Sequence, residues 1–245
     1  YFNIFKMDNP YGINIWFIYF DHFSDTLAML RLLKNKTFML FFIGNITSLI
    51  GFGFNLIAIS WMVLEESGSE YLLGKIMASA TAPGLILAIF AGVIIDKVNR
   101  KWLLVALDIF RMLVVIGFLY HISNNKFELS ILYPVAFFMG LGNSLFWPTA
   151  QAFVQELVSE KDYFDANKLL SASYQVGSIL GAGIGGLIVH AFSPVAALWI
   201  NILTYLVSAM FISLAPFKRK KANTEDNNLY DSIMKGFSYL KRRAD

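Results

Sequence analysis

Six apolar stretches dominate the chain, separated by short charged segments. The first runs from about Phe38 to Leu64, the second from about Ile76 to Ile95, and the third from about Trp102 to Ile122. The fourth covers about Ser130 to Val154, the fifth about Leu169 to Phe192, and the sixth about Val195 to Phe217. A bilayer core of roughly 30 Å takes about 20 apolar residues of helix, and each stretch is near that length. None keeps the polar face that a core helix of a soluble protein shows. A helix satisfies all its backbone groups within one span, so the pattern predicts six transmembrane helices. The expected fold class is all-α, a polytopic membrane protein with a six-helix bundle.

Composition points the same way. Of 245 residues, 57% are hydrophobic and 15% charged, where soluble domains are about a quarter charged. The net charge is only +3, but its placement is uneven. Arg31, Lys34 and Lys36 precede the first span, and Lys97, Arg100 and Lys101 lie between the second and third. Lys161 and Lys168 follow the fourth, and Lys218, Arg219, Lys220 and Lys221 follow the sixth. The opposite side carries Lys75 and Lys126 among its loops, with Glu65, Glu66 and Glu70. By the positive-inside rule both ends of the bundle are expected to be cytoplasmic. The basic cluster after the sixth span therefore reads as a topology signal, not as a nucleic-acid site. The lipid bilayer is the first expected partner. With no cysteine, disulfides, thiolate metal sites and cysteine nucleophiles are excluded.

The flanks differ from the bundle. Residues 1–28 are aromatic-rich and too broken for a span, and Met29 opens a short basic lead into the first. They read either as upstream sequence before a start at Met29 or as an interfacial segment. From Lys218 the chain turns polar and then amphipathic, with Ile233, Phe237 and Leu240 at helical spacing. Such a helix would lie on the membrane surface.

The fifth span contains "GSILGAGIGGLIVH". Gly181, Gly183 and Gly186 match a dinucleotide fingerprint, which requires a preceding strand and an acid about 20 residues on. The preceding "LLSASYQVGSIL" is no buried strand, and the first downstream acid is Glu225. No nucleotide, other cofactor or metal is expected. Glycines four apart in an apolar run instead bring two helix backbones together.

Two motifs carry a family resemblance. "GVIIDKVNRKWLL" is similar to the loop between spans two and three of the major facilitator superfamily, with Gly92, Asp96, Lys97, Arg100 and Lys101 in register and Asn99 at a usual glycine. Gly177, Gly181, Gly185 and Gly186 match the glycines of the superfamily's antiporter motif in span five, with Ala182 replacing its proline. "SLIGFGFNLIAISWMVLEESGSE", "LDIFRML" and "LFWPTAQAFVQELVSEKDYFDANKL", in that order, resemble the bacterial macrolide-efflux type of drug exporter. The resemblance implies twelve spans in two six-helix bundles. Residues 29–217 would then be the N-terminal bundle and 218–245 the start of a cytoplasmic linker. A missing C-terminal half would be the partner, and this half alone would not transport.

Charge placement selects candidate residues. Asp96, Arg100 and Lys101 sit in a short loop and suit a latch that pairs in one state and parts in another. Glu156, at the end of span four, is the expected partner of Arg100. The alternative is that these charges only set topology. Asp108 and Arg111 are the charges inside a span, three apart on one helix face. They are either a structural pair or a proton-coupling pair, in which Asp108 would carry the proton because arginine stays charged. Asn45, Thr47, Ser48 and Asn55 line up along span one with Phe52 and Trp61 nearby. They suit a cavity for amphipathic molecules or, equally, hydrogen bonds between helices. Trp147 and Pro148 read as a bend or anchor, and His121 and His190 as interfacial residues.

The leading function is efflux of a hydrophobic or amphipathic small molecule, macrolide-like by resemblance, by proton antiport across the bacterial cytoplasmic membrane. Export of a siderophore or lipid, or a six-helix scaffold without transport, remains open. An enzyme is not expected: no H-E-x-x-H, no G-x-S-x-G and no paired intramembrane carboxylates occur.

Overall fold

Helix-capping chemistry starts the bundle. In a computed structural model describing residues 31–88 and 90–217, the Asn35 side chain accepts hydrogen bonds from the backbone N–H groups of Thr37 and Phe38. It thereby satisfies donors that a helix start leaves orphaned. The first helix, α1 (Lys36–Ser67), ends at Gly68, whose φ of 58° places it in the left-handed region. Replacing Gly68 by alanine is expected to cost about 1 kcal/mol, because an L side chain is strained there. Thermal unfolding in detergent would register this as a small drop in midpoint with no change of fold.

The remaining helices follow the apolar stretches. They are α2 (Glu70–Leu87), α3 (Ala91–Lys97), α4 (Arg100–Asn124), α5 (Leu132–Leu157), α6 (Tyr163–Ala191) and α7 (Pro194–Leu214). Five are long and apolar enough to cross a membrane, and there are six if α2 and α3, bent by 65° at their junction, count as one span. No strand occurs among the described residues. The expectation of an all-α polytopic membrane protein therefore holds, with five to six apolar spanning helices. Residues 1–28, Met29 and the tail beyond residue 217 lie outside the described residues.

Two expected boundaries need correction. The second stretch is not one straight helix from Ile76 to Ile95. Pro83 inside α2 removes one ladder donor, and at the break Phe90 bonds back only three residues, to Leu87. The fifth span's helix, α6, starts at Tyr163, well before Leu169. Hydropathy marks where lipid begins, whereas a helix continues into polar residues as long as its backbone ladder does.

Packing is symmetric. Helix α1 packs mainly on α6 and α7, helix α5 mainly on α2 and α4, and α4 packs on α7. Exchanging the first three spans with the last three maps the α1 pairs onto the α5 pairs and the α4–α7 pair onto itself, the signature of an internal three-helix repeat. Small residues set the closest approaches. A Cβ on Gly181 of α6 would stand 2.5 Å from the Ile50 carbonyl oxygen and 2.9 Å from the Gly53 Cα of α1. At the equivalent crossing, a Cβ on Gly140 of α5 would stand 1.8 Å from the Ala80 carbonyl oxygen of α2.

Side chains between the helices form two apolar clusters. One includes Phe38, Phe41, Leu104, Phe153 and Ile212, and the other Val63, Val115, Phe118, Leu132 and Leu198. On α1, α4 and α7 the residues between these clusters include Ser48, Asp108 with Arg111, and Ser208, all buried. Ser48 is twelve residues into α1, about 18 Å at the rise of an α-helix. The polar layer thus lies near the middle of a membrane's thickness.

Candidate functional site

Four helices build the polar layer. Asp108 and Arg111, three apart on α4, pair directly. Asp108 is fully buried, and its two oxygens accept from Ser48 Oγ of α1 at 2.8 Å and Ser208 Oγ of α7 at 2.6 Å. Arg111 donates from Nη2 to Ser48 Oγ at 2.9 Å, from Nη1 to Asn143 Oδ1 of α5 at 2.8 Å, and from Nε to the Leu107 carbonyl at 3.3 Å. Its guanidinium lies over the rings of Phe146 at 4.2 Å and Tyr205 at 4.6 Å. Isolated charges at this depth cost several kcal/mol. Mutual pairing, hydroxyl donors and stacking together offset that cost.

Two clefts meet at this layer. The first, about 350 Å³, is lined by Phe52, Arg111, Asn143, Phe146, Trp147 and Tyr174. The second, about 430 Å³, runs between α1, α2 and α5 past Asn55, Met77, Thr81 and Met139, and shares Phe52 and Asn143 with the first. The shared residues join them into one apolar trough. Arg111 touches the trough on one side and Asp108 on the other.

A second charged group closes the basic end of the bundle. Arg100, opening α4, bonds Asp96 Oδ1 of α3 and Glu156 Oε1 of α5, each at 2.9 Å, and the Ala152 carbonyl at 3.2 Å. Arg100 thereby ties the bent second span to the fourth through the start of the third. Lys101 turns elsewhere: its Nζ donates to the Ala215 carbonyl at 2.7 Å, just past α7. It ties span three to span six and does not join the Asp96–Arg100–Glu156 group. Lys97 and Gly92 are exposed on α3, and a side chain at Gly92 would meet nothing within 4 Å. Neither residue is drawn into the ion-pair group.

The other candidate residues divide. Gly177, Gly181 and Gly185 face α1, but Gly186 faces open space and takes no part in the close crossing. The helical period explains it, since Gly186 is one residue off the four-residue stripe. Asn55 lines the trough. Asn45 is turned away to donate to Ser173 Oγ at 2.8 Å, and Ser48 is taken up by the ion pair. Thr47 bonds the Ile43 carbonyl of its own helix. Trp61 lines neither cleft and is half exposed. Trp147, expected to bend or anchor its helix, lines the trough and meets the Tyr174 ring edge-on at 5.1 Å. His121 and His190 lie in the last turns of α4 and α6.

Sequence reading missed Asn143 and Ser208. Each is a polar residue within an apolar span, the same kind of signal that marked Asn45, but neither stands beside a charge in the chain.

A family model described as "Transmembrane secretion effector" matches residues 27–244. The "Putative bacilysin exporter BacE" of Bacillus amyloliquefaciens is 25% identical over 217 residues, covering 88% of this chain and 53% of that protein. The "Uncharacterized MFS-type transporter YfiS" of Bacillus subtilis (strain 168) is 28% identical over 174 residues, 69% of this chain and 40% of that protein. The "Multidrug efflux pump Tap" of Mycolicibacterium fortuitum is 23% identical over 187 residues, 74% of this chain and 46% of that protein. The chain spans about half the length of the curated relatives it matches.

Proposed function

The chain belongs to the transmembrane secretion effector family of multi-pass major facilitator transporters, and on that premise we propose that it is the N-terminal half of a proton-driven exporter. In this reading it sits in the bacterial cytoplasmic membrane with both ends inside, and a second six-helix bundle completes the transport path. The cargo is an amphipathic small molecule of the macrolide-like drug class, and proton entry drives its exit.

One observation carries the reading: a fully buried carboxylate is paired with an arginine that also forms the wall of an apolar trough. A proton on Asp108 removes its charge and weakens its hold on Arg111. The groups that face Asp108 are Arg111 on its own helix, Ser48 from α1 and Ser208 from α7, with Tyr205 stacked on the guanidinium. Arg111 thus links the protonation of Asp108 to the wall of the trough, the kind of coupling antiport requires. Cells expressing the full-length transporter should accumulate less of an amphipathic fluorophore, and an uncoupler should abolish the difference. Accumulation indifferent to the uncoupler would refute proton drive.

In the same reading the Asp96–Arg100–Glu156 group is a latch at the cytoplasmic end, closed in this conformation. Glu156→Gln removes one half-buried ion pair worth about 1 kcal/mol, a shift of about fivefold between states. Efflux should fall with expression unchanged, and Asp96→Asn should act in the same direction. Unaltered efflux in both variants would leave these charges as topology signals only.

A further inference from the structure

The trough holds a polar group whose orientation is fixed from behind. Arg111 Nη1 donates to Asn143 Oδ1 at 2.8 Å, so the amide oxygen of Asn143 is committed to the arginine and its NH2 must point the other way. Among the described residues that nitrogen has no hydrogen-bond partner, and it is not one of the sealed, unpartnered polar atoms. It opens on the trough, where Asn143 is shared by both clefts. Arg111 spends four of its five N–H groups on Leu107, Asn143, Ser48 and Asp108. No carboxylate lines either cleft among the described residues, and the one charge is positive. Around the amide stand the rings of Phe52, Phe146, Trp147 and Tyr174.

We propose that Asn143 is the substrate-reading residue of the trough: its amide N–H donates to a carbonyl oxygen of a neutral amphipathic molecule whose apolar body lies on the aromatic side chains. Ketones, esters and amides fit this chemistry. Lipophilic cations do not, because they would meet Arg111 with no carboxylate to offset it. The inference rests on the transport reading and adds the chemical class of its cargo. A carbonyl acceptor also satisfies a donor that an apolar ligand would strand, and stranding a buried donor is what makes a site reject the wrong ligand.

The test uses the full-length transporter in nanodiscs and two probes. One is prodan, a neutral naphthyl ketone, and the other is tetraphenylphosphonium, a lipophilic cation. Binding is read by quenching of tryptophan emission, with Trp147→Phe identifying the signal from the trough. Wild type should bind prodan at least about tenfold more tightly than the cation, and Asn143→Leu should remove most of that preference. Asn143→Asp keeps the shape but replaces donors with acceptors, so it should weaken prodan and strengthen the cation. A monodisperse elution profile for each variant secures the comparison. Equal affinity for the two probes in wild type, or prodan binding untouched in both variants, would overturn the assignment. Probe selectivity that follows Asn143 without gradient-driven efflux would support this assignment and refute the transport reading instead. Gradient-driven efflux that ignores Asn143 would do the reverse.

Discussion

Replacing Asp108 by alanine is expected to be the most damaging single change in the bundle, lowering stability by about 3–5 kcal/mol. Arg111 cannot shed its charge, and it is buried with Phe146 and Tyr205 on its faces. Without Asp108 it keeps neutral acceptors only, while Ser208 and Ser48 lose theirs. The double variant Asp108→Leu with Arg111→Met removes both charges and approximates their volume. It should recover much of the folded yield, since apolar replacement of a whole buried pair is often neutral or better. Efflux should stay absent in the double variant, because no group remains to carry a proton. Thermal unfolding in detergent measures the first effect and fluorophore accumulation the second. A double variant as unstable as the single one would show that packing, and not the stranded charge, dominates.

The second large effect belongs to the glycine crossings. A Cβ at Gly140 would stand 1.8 Å from a backbone oxygen and one at Gly181 2.5 Å from another. Backbone cannot step aside as a flexible side chain can, so even alanine must push two helices apart, at about 1–3 kcal/mol. Leucine at either position should prevent folding. Gly183 and Gly186 lie in the same run with open space around them. Alanine there should be neutral or slightly stabilising, since alanine is the better helix former by about 1 kcal/mol. Folded yield after size-exclusion chromatography separates the two groups. Equal tolerance at Gly181 and Gly183 would contradict the packing described for α1 and α6.

The helices were legible in the sequence because lipid imposes a length and a composition on each span. The bend after Leu87 was not, because Pro83 and the tighter turn at Phe90 act on a backbone that hydropathy does not weigh. The Asp108–Arg111 contact follows from a spacing of three on one helix, and Arg100 with Glu156 from their places at two helix ends. The pairing of Lys101 with Ala215 could not be read, since it depends on how close span six approaches span three. Asn45 and Asn143 are both amides in apolar runs, yet one bridges to Ser173 and the other opens on the trough. Their difference is rotational position about the helix relative to neighbours, which a single sequence leaves open. Gly186 illustrates the same limit from the other side: it matches a motif in order but falls off the contacting face.

If Asp108 couples proton entry to substrate exit, protons and substrate must cross the membrane in opposite directions. The most direct measurement uses full-length transporter in liposomes loaded with a pH indicator, with prodan added to one side. Proton movement opposite to the substrate is expected in wild type, abolished in Asp108→Asn while prodan binding persists. Proton movement undiminished in Asp108→Asn, or substrate flux with no proton movement in wild type, would contradict this coupling.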